Sequence, residues 1–323
     1  MEPTKSPSCY EFVLYDTGAG GLSPSFANPI DATYVVYLEG NQERYDQVMD
    51  QLKQIRPTEQ IWIVHNKGYK KCHKGNHIQS PPQDIVDVNY EIFKHANQEG
   101  YQSILVLEDD FLFDERLLPT DPNSGRIAKE IGHFIKSWGD ETPLLYYLGT
   151  LPLIQCPWGL SPHNIVFLSA ANHAPIYNRA FRDMILSVNS TQIKDLDVYI
   201  QEYPGLRFSY SVPLCYQIFT YTENSGYWGY QDSLVHVFSK KFHDVNSWLF
   251  DLDKKIEPGY SFYYLFSKVL FFILIVFFGF LIWKILRGVY LSISWLLLSL
   301  IGWRGNKRAK SNLRRGSSNV RTN

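Results

Sequence analysis

Cysteine is scarce in this chain, and neither sign of charge is in excess. The 323 residues include 4 cysteines, and 31 basic residues are balanced by 32 acidic ones. Cys9, Cys72, Cys156 and Cys215 are far apart and form no CxxC pair, so the sequence indicates neither a zinc site nor a disulfide framework. We expect separate thiols. The balanced charge gives no indication of nucleic acid as a partner.

The chain also lacks two common sequence signals. Its first residues, MEPTKSPSCYEF, contain no apolar run, so no secretory signal is predicted and nothing there would carry the main domain across a membrane. No GxxxxGK(S/T) sequence occurs, which counts against a P-loop. Residues 1–32 are rich in glycine, proline and serine, and we predict that they form an irregular lead-in.

What the chain has instead is a regular alternation of apolar strands and amphipathic helices. Strands are predicted at residues 33–38, 61–64 and 104–107. A helix at 45–55 lies between the first two, and a helix capped by Asp84 lies between the next two. This order predicts an α/β fold with a Rossmann-like, mainly parallel sheet flanked by helices.

The rest of the main domain is expected to extend through residue 258 and to contain mostly strands. The predicted elements are strands at 144–149, 165–171, 175–177, 208–212 and 215–221, and a helix at 179–188. The domain predicted from these patterns therefore covers residues 33–258.

Three acidic residues, Glu108, Asp109 and Asp110, directly follow the third predicted strand. In open α/β sheets, ligands bind beyond the carboxyl ends of the strands. Adjacent carboxylates are costly unless a positive group neutralises them, and carboxylate oxygens suit Mg²⁺ or Mn²⁺. A solvated acidic turn is the alternative. The position at a strand end favours a cation site that can bind a diphosphate.

The sequence around this triplet resembles a known family. Residues 104–111, ILVLEDDF, are similar to the signature of family 25 glycosyltransferases, which include lipopolysaccharide and collagen galactosyltransferases. Further matches stand in the family's order: the first strand followed by Arg44, the strand ending in Gly149, NHAPIY at 172–177, Asp195 with Asp197, and residues 213–217 followed by Ser225. Two positions depart from the pattern, since Tyr37 replaces a usual Asn and Pro175 interrupts the His-Ala-Tyr element.

The resemblance implies a GT-A fold and an inverting, metal-dependent glycosyltransferase. It implies a UDP-sugar donor carrying a hexose (galactose or glucose), a glycan or glycoprotein hydroxyl as acceptor, and Mn²⁺ or Mg²⁺ as cofactor. The implied metal ligands are Asp110, Glu108 and a late histidine, His236 or His243. The implied donor-binding residues are Tyr37, Leu38, Glu39, Arg44 and Asp109. An inverting enzyme needs a base for the acceptor hydroxyl, for which Asp197 is the first candidate and Asp195 the second.

Other interpretations stay open. A phosphoryl or nucleotidyl transferase would use the same carboxylates with Mg²⁺. A catalytically degenerate, membrane-bound scaffold or binding protein is also compatible with the sequence, and the loss of Asn at Tyr37 favours it. His173 is more typical of a structural histidine. A basic loop can bind phosphate or remain solvated; its residues are Lys67, Lys70, Lys71 and Lys74.

The C-terminal part of the chain, residues 261–303, is predicted to be a membrane anchor. Residues 262–283 are long enough to cross a bilayer core of about 30 Å, and residues 289–303 can span it or lie in the interface. The tail at 304–323 is basic without an acidic residue, so it is expected in the cytoplasm. A single span would place the main domain on the opposite side. A hairpin turning near Lys284 and Arg287, or one span that enters the membrane only partway, would keep both the domain and the tail in the cytoplasm, which is the placement we expect.

Overall fold

The computed structural model describes residues 8–15, 25–26, 29–202, 205–218, 241, 244–252 and 256–316, with side chains described as far as residue 298. The chain divides into two compact units, Met1–Leu270 and Phe271–Asn323.

The first unit is built on a mixed sheet of seven strands in the order β1-β3-β2-β4-β7-β6-β8. The strands are β1 (Tyr10–Leu14), β2 (Ala32–Leu38), β3 (Gln60–Asn66), β4 (Ser103–Glu108), β5 (Phe111–Phe113), β6 (Leu144–Pro157), β7 (His163–Asn178), β8 (Leu206–Tyr210) and β9 (Cys215–Gln217). The central strand β2 pairs in parallel with β3 and β4, whereas β4 and β7 are antiparallel. A separate small sheet joins β5 to β9. The predicted α/β fold with a parallel centre is confirmed.

Helices cover both faces of the sheet. They are α1 (Gln42–Gln54), α2 (Pro81–Gln98), α3 (Ser124–Ser137), α4 (Arg179–Leu186) and α5 (Leu196–Glu202). A further helix, α6 (Gly259–Gly316), follows them in the chain. Because side chains alternate along a strand, Val35 packs in the apolar layer that contains residues of α1 and α3. Its neighbour Tyr34 packs in the layer that contains residues of α2, α4 and α5.

The starts of α1 and α2 follow from their sequences. Asn41 caps α1, with its Oδ1 accepting a hydrogen bond from the backbone N–H of Arg44 at 3.2 Å. Helix α2 begins with proline after Ser80, as is common in a first helical turn. Asp84 was expected to cap this helix, and that expectation is wrong. It lies inside the first turn, where its carboxylate is buried and accepts a hydrogen bond from Lys74.

The lead-in expected to be irregular contains strand β1, which pairs antiparallel with β3 from Tyr10 opposite Asn66 onward. This pairing brings Cys9 close to the loop after β3, and Cys9 forms a disulfide bond with Cys72. The expectation of four separate thiols is therefore wrong for this pair, while Cys156 and Cys215 are free. Disulfides persist in oxidising compartments. The cytoplasmic placement of the domain stays a prediction. The disulfide bond between Cys9 and Cys72 favours instead the side of the membrane that faces an oxidising compartment.

Strands β6 and β7 form a long antiparallel hairpin, where the sequence predicted shorter, separate strands. Pro175 lies inside β7 opposite Tyr147, and the register shifts between Tyr147 and Gly149. Proline has no N–H to donate, so it is tolerated next to such an irregularity. Further along β7, Ala171 adopts φ 56°, a left-handed conformation that is uncommon for a residue with a Cβ.

Helix α6 begins inside the first unit and continues as one helix. Tyr260 and Tyr263 are buried there, in a cluster with Leu151 of β6 and Tyr216 of β9. The most apolar window within Gly259–Leu298 has a mean hydropathy of 2.8, and none of it is buried. Its length and composition therefore suffice to cross a bilayer. The helix passes residues 284–287 without a break, so the turn of the expected hairpin is absent.

Candidate active site

A pocket of about 420 Å³ lies where the carboxyl ends of β2, β3 and β4 meet. This is the edge at which ligands bind in open α/β sheets. The pocket is lined by Val36, Leu38, Glu39, Gly40, Asn41, Arg44, residues 66–71, Pro81, Asp84, Ile85, Glu108 and Asp109. The sequence therefore placed the acidic triplet correctly with respect to the sheet, and the structure adds a cavity beside it.

Asp109 forms hydrogen bonds with two other residues that line this pocket. Its Oδ1 accepts a hydrogen bond from Arg44 Nη1 at 2.5 Å, and its Oδ2 accepts one from the backbone N–H of Leu38 at 3.0 Å. Burial opposes the charge of Arg44, but Asp109 and then Asp110 raise the pKa of its guanidinium. Asp109 thus joins α1 and the end of β2 to the end of β4, with both of its oxygens hydrogen-bonded.

Asp110 is fully buried and only partly satisfied. Its Oδ2 accepts a hydrogen bond from Gln217 Nε2 at 2.9 Å and lies 3.7 Å from Arg44 Nη2. Its Oδ1 is buried without a hydrogen-bond partner. Burial raises the pKa of this carboxyl to about 6, against the opposing effect of Arg44. A buried carboxylate oxygen left without a partner is costly, so Asp110 is the member of the triplet best suited to hold a cation or a proton.

The charge of Glu108 is influenced by other carboxylates of the site. It lines the pocket, and burial raises the pKa of its carboxyl well above the usual value, with Asp110 and Asp197 adding to the shift. The interaction with Asp197 shows that the acidic end of β4 and the start of α5 are electrostatically connected. The prediction that both belong to one site is compatible with this influence and stays a prediction.

Asp197, in the first turn of α5, is held by a residue of β7. Asn172 Nδ2 donates a hydrogen bond to Asp197 Oδ1 at 2.6 Å. Burial raises the pKa of Asp197 to about 7, Asp195 adds to the shift and Asn172 opposes it. A carboxyl with a pKa near neutrality can exchange a proton at physiological pH. Asn172 directly follows Ala171, the residue with the left-handed backbone.

Asp195 has a different role from Asp197. Its Oδ1 accepts hydrogen bonds from the backbone N–H groups of Asp197 at 2.9 Å and Val198 at 3.3 Å. These are the bonds by which an acidic side chain caps a helix start. Asp195 therefore positions α5, and its charge raises the pKa of Asp197.

His173 is buried beside this site and packed against the backbone. Its Nε2 lies 3.1 Å from the carbonyl oxygen of Cys215, and burial lowers the pKa of the ring to about 4. The close packing requires glycine at position 149, since a Cβ there would lie 2.3 Å from His173 Nε2 and 2.5 Å from the Cys215 carbonyl oxygen. The histidine is neutral at physiological pH, which agrees with a structural role.

Of the other predicted site residues, some line the pocket and others do not. Leu38 and Glu39 line the pocket. Tyr37 packs in the core against Tyr45 and His65, with ring centroids 5.0 and 5.5 Å away, because it faces the opposite side of β2 from its neighbours. His236, like His243, lies outside the described residues.

The basic loop after β3 contributes to the pocket wall. Lys67 Nζ donates to the carbonyl oxygen of Ser8 at 3.1 Å, and Lys71 Nζ donates to that of Glu39 at 3.0 Å. Both lysines and Lys70 line the pocket. Lys74 instead is buried, and its ammonium donates to Asn66 and Asp84. These contacts hold the loop in place at the pocket. The sequence alone left open whether the loop binds phosphate or remains solvated.

Two contacts of the candidate site were not predicted from the sequence: Asn172 to Asp197 and Gln217 to Asp110. Asn172 carried a weak signal, because it lies within a segment that resembles the family pattern. Gln217 resembled a family position, but nothing local in the sequence indicates its bond to Asp110, which spans 107 residues. Among the described residues, no group of three or more His, Cys, Asp and Glu side chains is placed to hold a metal ion. A cation here would therefore depend on Asp110 and Glu108 and on oxygens of its ligand.

Comparisons with known proteins give a likeness of fold only. No family model and no curated protein matches this chain. A solved glycosyltransferase involved in the glycosylation of the major capsid of PBCV-1 is 9% identical, with a TM-score of 0.35, covering 61% of this chain and 97% of that one. A structure described as mannose-1-phosphate geranyltransferase from Thermus thermophilus is 8% identical, with a TM-score of 0.33, covering 56% and 73%. An apo UDP-glucose pyrophosphorylase is 8% identical, with a TM-score of 0.29, covering 56% and 72%. Likeness this low carries no functional argument, so the case for function rests on the residues of the site.

Proposed function

We propose that this chain is a membrane-anchored, metal-dependent glycosyltransferase of the family 25 type. It would move a hexose from a UDP-sugar to a hydroxyl of a glycan or glycoprotein. The observation that carries the proposal is Asp110, a buried carboxylate with an unpartnered oxygen at the end of a central parallel strand. It lies beside Arg44 and directly after Asp109, two residues that line the pocket with three lysines.

The donor side of the site would bind and orient the nucleotide sugar. Lys67, Lys70 and Lys71 face the pocket from one wall, where their charges attract a diphosphate. Mn²⁺ or Mg²⁺, when bound, would stabilise the charge of the leaving diphosphate. Asp110, with Glu108 beside it, would hold that cation, because Asp109 already has both oxygens in hydrogen bonds.

The acceptor side would activate the attacking hydroxyl. Asp197 would take the hydroxyl proton while the acceptor oxygen bonds to the anomeric carbon and the bond from that carbon to the diphosphate oxygen breaks. One displacement of this kind inverts the configuration at the anomeric carbon. The pKa of about 7 for Asp197 suits a base that must both accept and release a proton near neutral pH. Asn172 would keep the carboxylate oriented.

A binding protein without catalysis is the second candidate. One observation favours it: Arg44 pairs with Asp109 and approaches Asp110, so part of the acidic charge is neutralised by the protein itself. In that case the pocket would still bind a nucleotide sugar but would need no metal and would transfer nothing.

Thermal unfolding of the full chain in detergent, with UDP-glucose or UDP-galactose and with or without Mn²⁺, tests the proposal. We expect one nucleotide sugar to raise Tm only when Mn²⁺ is present. The Asp110→Asn variant should lose this shift, while its Tm without ligand should equal that of the parent. Asp50→Asn, an exposed carboxylate on α1, is the matched control and should behave as the parent. A shift of equal size without metal would favour the binding protein, and no shift with any nucleotide sugar would refute the transferase.

A further inference from the structure

The turn between β6 and β7, residues 158–162, presents apolar side chains at its tip. Trp158 is 43% exposed and Leu160 is fully exposed. Gly159, between them, has φ 62°, a left-handed conformation that favours glycine in a tight turn. One part of the Trp158 ring packs against Trp138 and Phe208, with centroids 5.8 and 5.6 Å away, and the rest of it is exposed beside Leu160. Single exposed apolar residues are common on protein surfaces. The neighbours of this tip therefore decide whether it is a binding surface.

Three hydrogen bonds place the tip beside helix α6. Lys268 Nζ donates to the carbonyl oxygen of Ser211 at 2.8 Å. The backbone N–H of Ser211 in turn donates to the carbonyl oxygen of Pro162 in the tip at 2.8 Å. On the neighbouring strand, Gln155 Nε2 donates to the carbonyl oxygen of Tyr264 at 2.9 Å. The tip and the segment 264–268 of α6 are therefore fixed to each other within the first unit.

The same segment of α6 is where the helix becomes suited to lipid. Lys268 is the last charged residue before Lys284, and residues 269–283 contain none. Val269 is 46% exposed and Phe272 is 53% exposed, as is typical of a helix surrounded by lipid rather than by protein. If α6 crosses a membrane, the bilayer surface therefore lies close to Lys268, and the hydrogen bonds through Ser211 hold Pro162 of the tip near this residue.

We propose that Trp158 and Leu160 insert into the headgroup region of the membrane that α6 crosses. The occupant of this apolar surface is thus a phospholipid bilayer, and the proposal rests on the membrane anchor of the proposed function. Tryptophan suits this position because its apolar ring carries a polar N–H edge, and leucine suits it as an apolar residue of the kind that enters the boundary between headgroups and acyl chains. A helix alone leaves the domain free to rotate and tilt, whereas a second contact fixes its orientation on the bilayer.

Trp248 provides an internal comparison. It is 82% exposed, more than Trp158, but its segment packs against the beginning of α6. Asn246 Nδ2 donates to the carbonyl oxygen of Gly259 at 3.3 Å, and the rings of Phe250 and Phe262 lie 5.1 Å apart. At 1.5 Å per helical residue these contacts are about 9 to 14 Å from Lys268 along the axis. We therefore expect Trp248 to remain in water.

The test uses two labelled variants of the full chain in vesicles of phosphatidylcholine and phosphatidylglycerol. In a Cys156→Ser background, Leu160→Cys and Trp248→Cys are each labelled with an environment-sensitive nitrobenzoxadiazole dye. Emission is measured in vesicles and in detergent, and quenching is measured with lipid that carries a nitroxide near the headgroup. Resistance of the chain to carbonate extraction is measured on the same samples.

The expected result is a blue shift and nitroxide quenching at position 160, with emission at position 248 remaining water-like. Water-like emission at both positions in a chain that resists extraction would overturn the second contact while leaving the anchor intact. A chain released by carbonate would refute the anchor itself, and with it this inference. As a second measurement, Leu160→Glu should remove the quenching of a dye at position 158 without changing extraction.

Discussion

The parallel half of the sheet and the β6–β7 hairpin differ in how completely their buried polar atoms are hydrogen-bonded. On the parallel side, Asp109 has partners for both oxygens. In β7 of the hairpin, buried atoms of Asn172 and His173 lack a partner among the described residues, and so does Oδ1 of Asp110, just after β4. Buried polar atoms are nearly always hydrogen-bonded, so those that lie at the candidate site are the atoms available to a ligand or a proton there. The end of β4 thus pairs Asp109 fully and leaves one oxygen of Asp110 open, whereas the hairpin contributes Asn172, which orients the proposed base Asp197.

The largest effect is expected from Asp197→Asn, which separates the two halves functionally. Loss of the base should lower the rate of sugar transfer by about 10²–10⁴-fold, while donor binding on the parallel side stays unchanged. Transfer rate and donor affinity should be measured on the same preparation. Asp195→Asn is the control, because asparagine also caps a helix; it should keep most of the activity. Equal losses of donor binding and transfer in Asp197→Asn would show that the two halves do not divide the work.

The second prediction concerns the disulfide, which belongs to the parallel half. Replacing Cys9 and Cys72 with serine should lower the free energy of unfolding by about 2–4 kcal/mol and weaken donor binding, since the loop that carries Cys72 also lines the pocket. Denaturant unfolding with and without a reducing agent measures the first effect, and donor titration the second. Cys156→Ser, which removes a free cysteine, should change neither. Unchanged donor binding in the double variant would mean that the loop is held by its other contacts.

The third prediction concerns the packing of the hairpin. Gly149→Ala would place a Cβ against His173 and the Cys215 carbonyl, and should destabilise the fold by about 1–3 kcal/mol. Gly125→Ala is the matched control, because a Cβ there meets nothing within 4 Å. Unfolding of both variants in denaturant tests the difference. Equal stability of the two would mean that the hairpin tolerates more space than its packing indicates.

The smallest effect sharpens the description of Asp197. Its pKa is about 7, and a base must be ionised, so the transfer rate should rise with pH through about 7. The free energy of unfolding should instead fall as the pH rises. The stability that the raised pKa of Asp197 contributes is fully present below the unfolded pKa of about 3.9 and is lost as the pH rises through about 7. Asn172→Ala removes a hydrogen bond to the carboxylate and should move the pH profile upward by about one unit.

Asn123→Ala, at an exposed position without a capping hydrogen bond, is the control for this shift. An unchanged pH profile in Asn172→Ala would assign the rise to another group, and Glu108 would be the next to replace.

Patterns within short segments were enough to predict the first half of the domain. The run at 33–38, the apolar positions at 45–55 and the run at 104–107 predicted β2, α1 and β4 close to their observed bounds, because helical and strand periods are local properties. Strand β1 was missed, since five half-exposed residues in a polar region give little pattern. The strand β7 was divided at Pro175, because proline normally interrupts a strand and only the register shift beside it explains the exception.

Local sequence was sufficient for the order of strands and helices, the position of the acidic triplet after β4, and an apolar helix long enough for a bilayer. Long-range contacts were needed to distinguish the aspartates of the site from one another. Asp109 is paired because Arg44 approaches from 65 residues away, Asp110 is held by Gln217 across 107 residues, and Asp197 is oriented by Asn172 across 25. Each contact depends on which strands become neighbours and in what register, and no local pattern of residues encodes that choice.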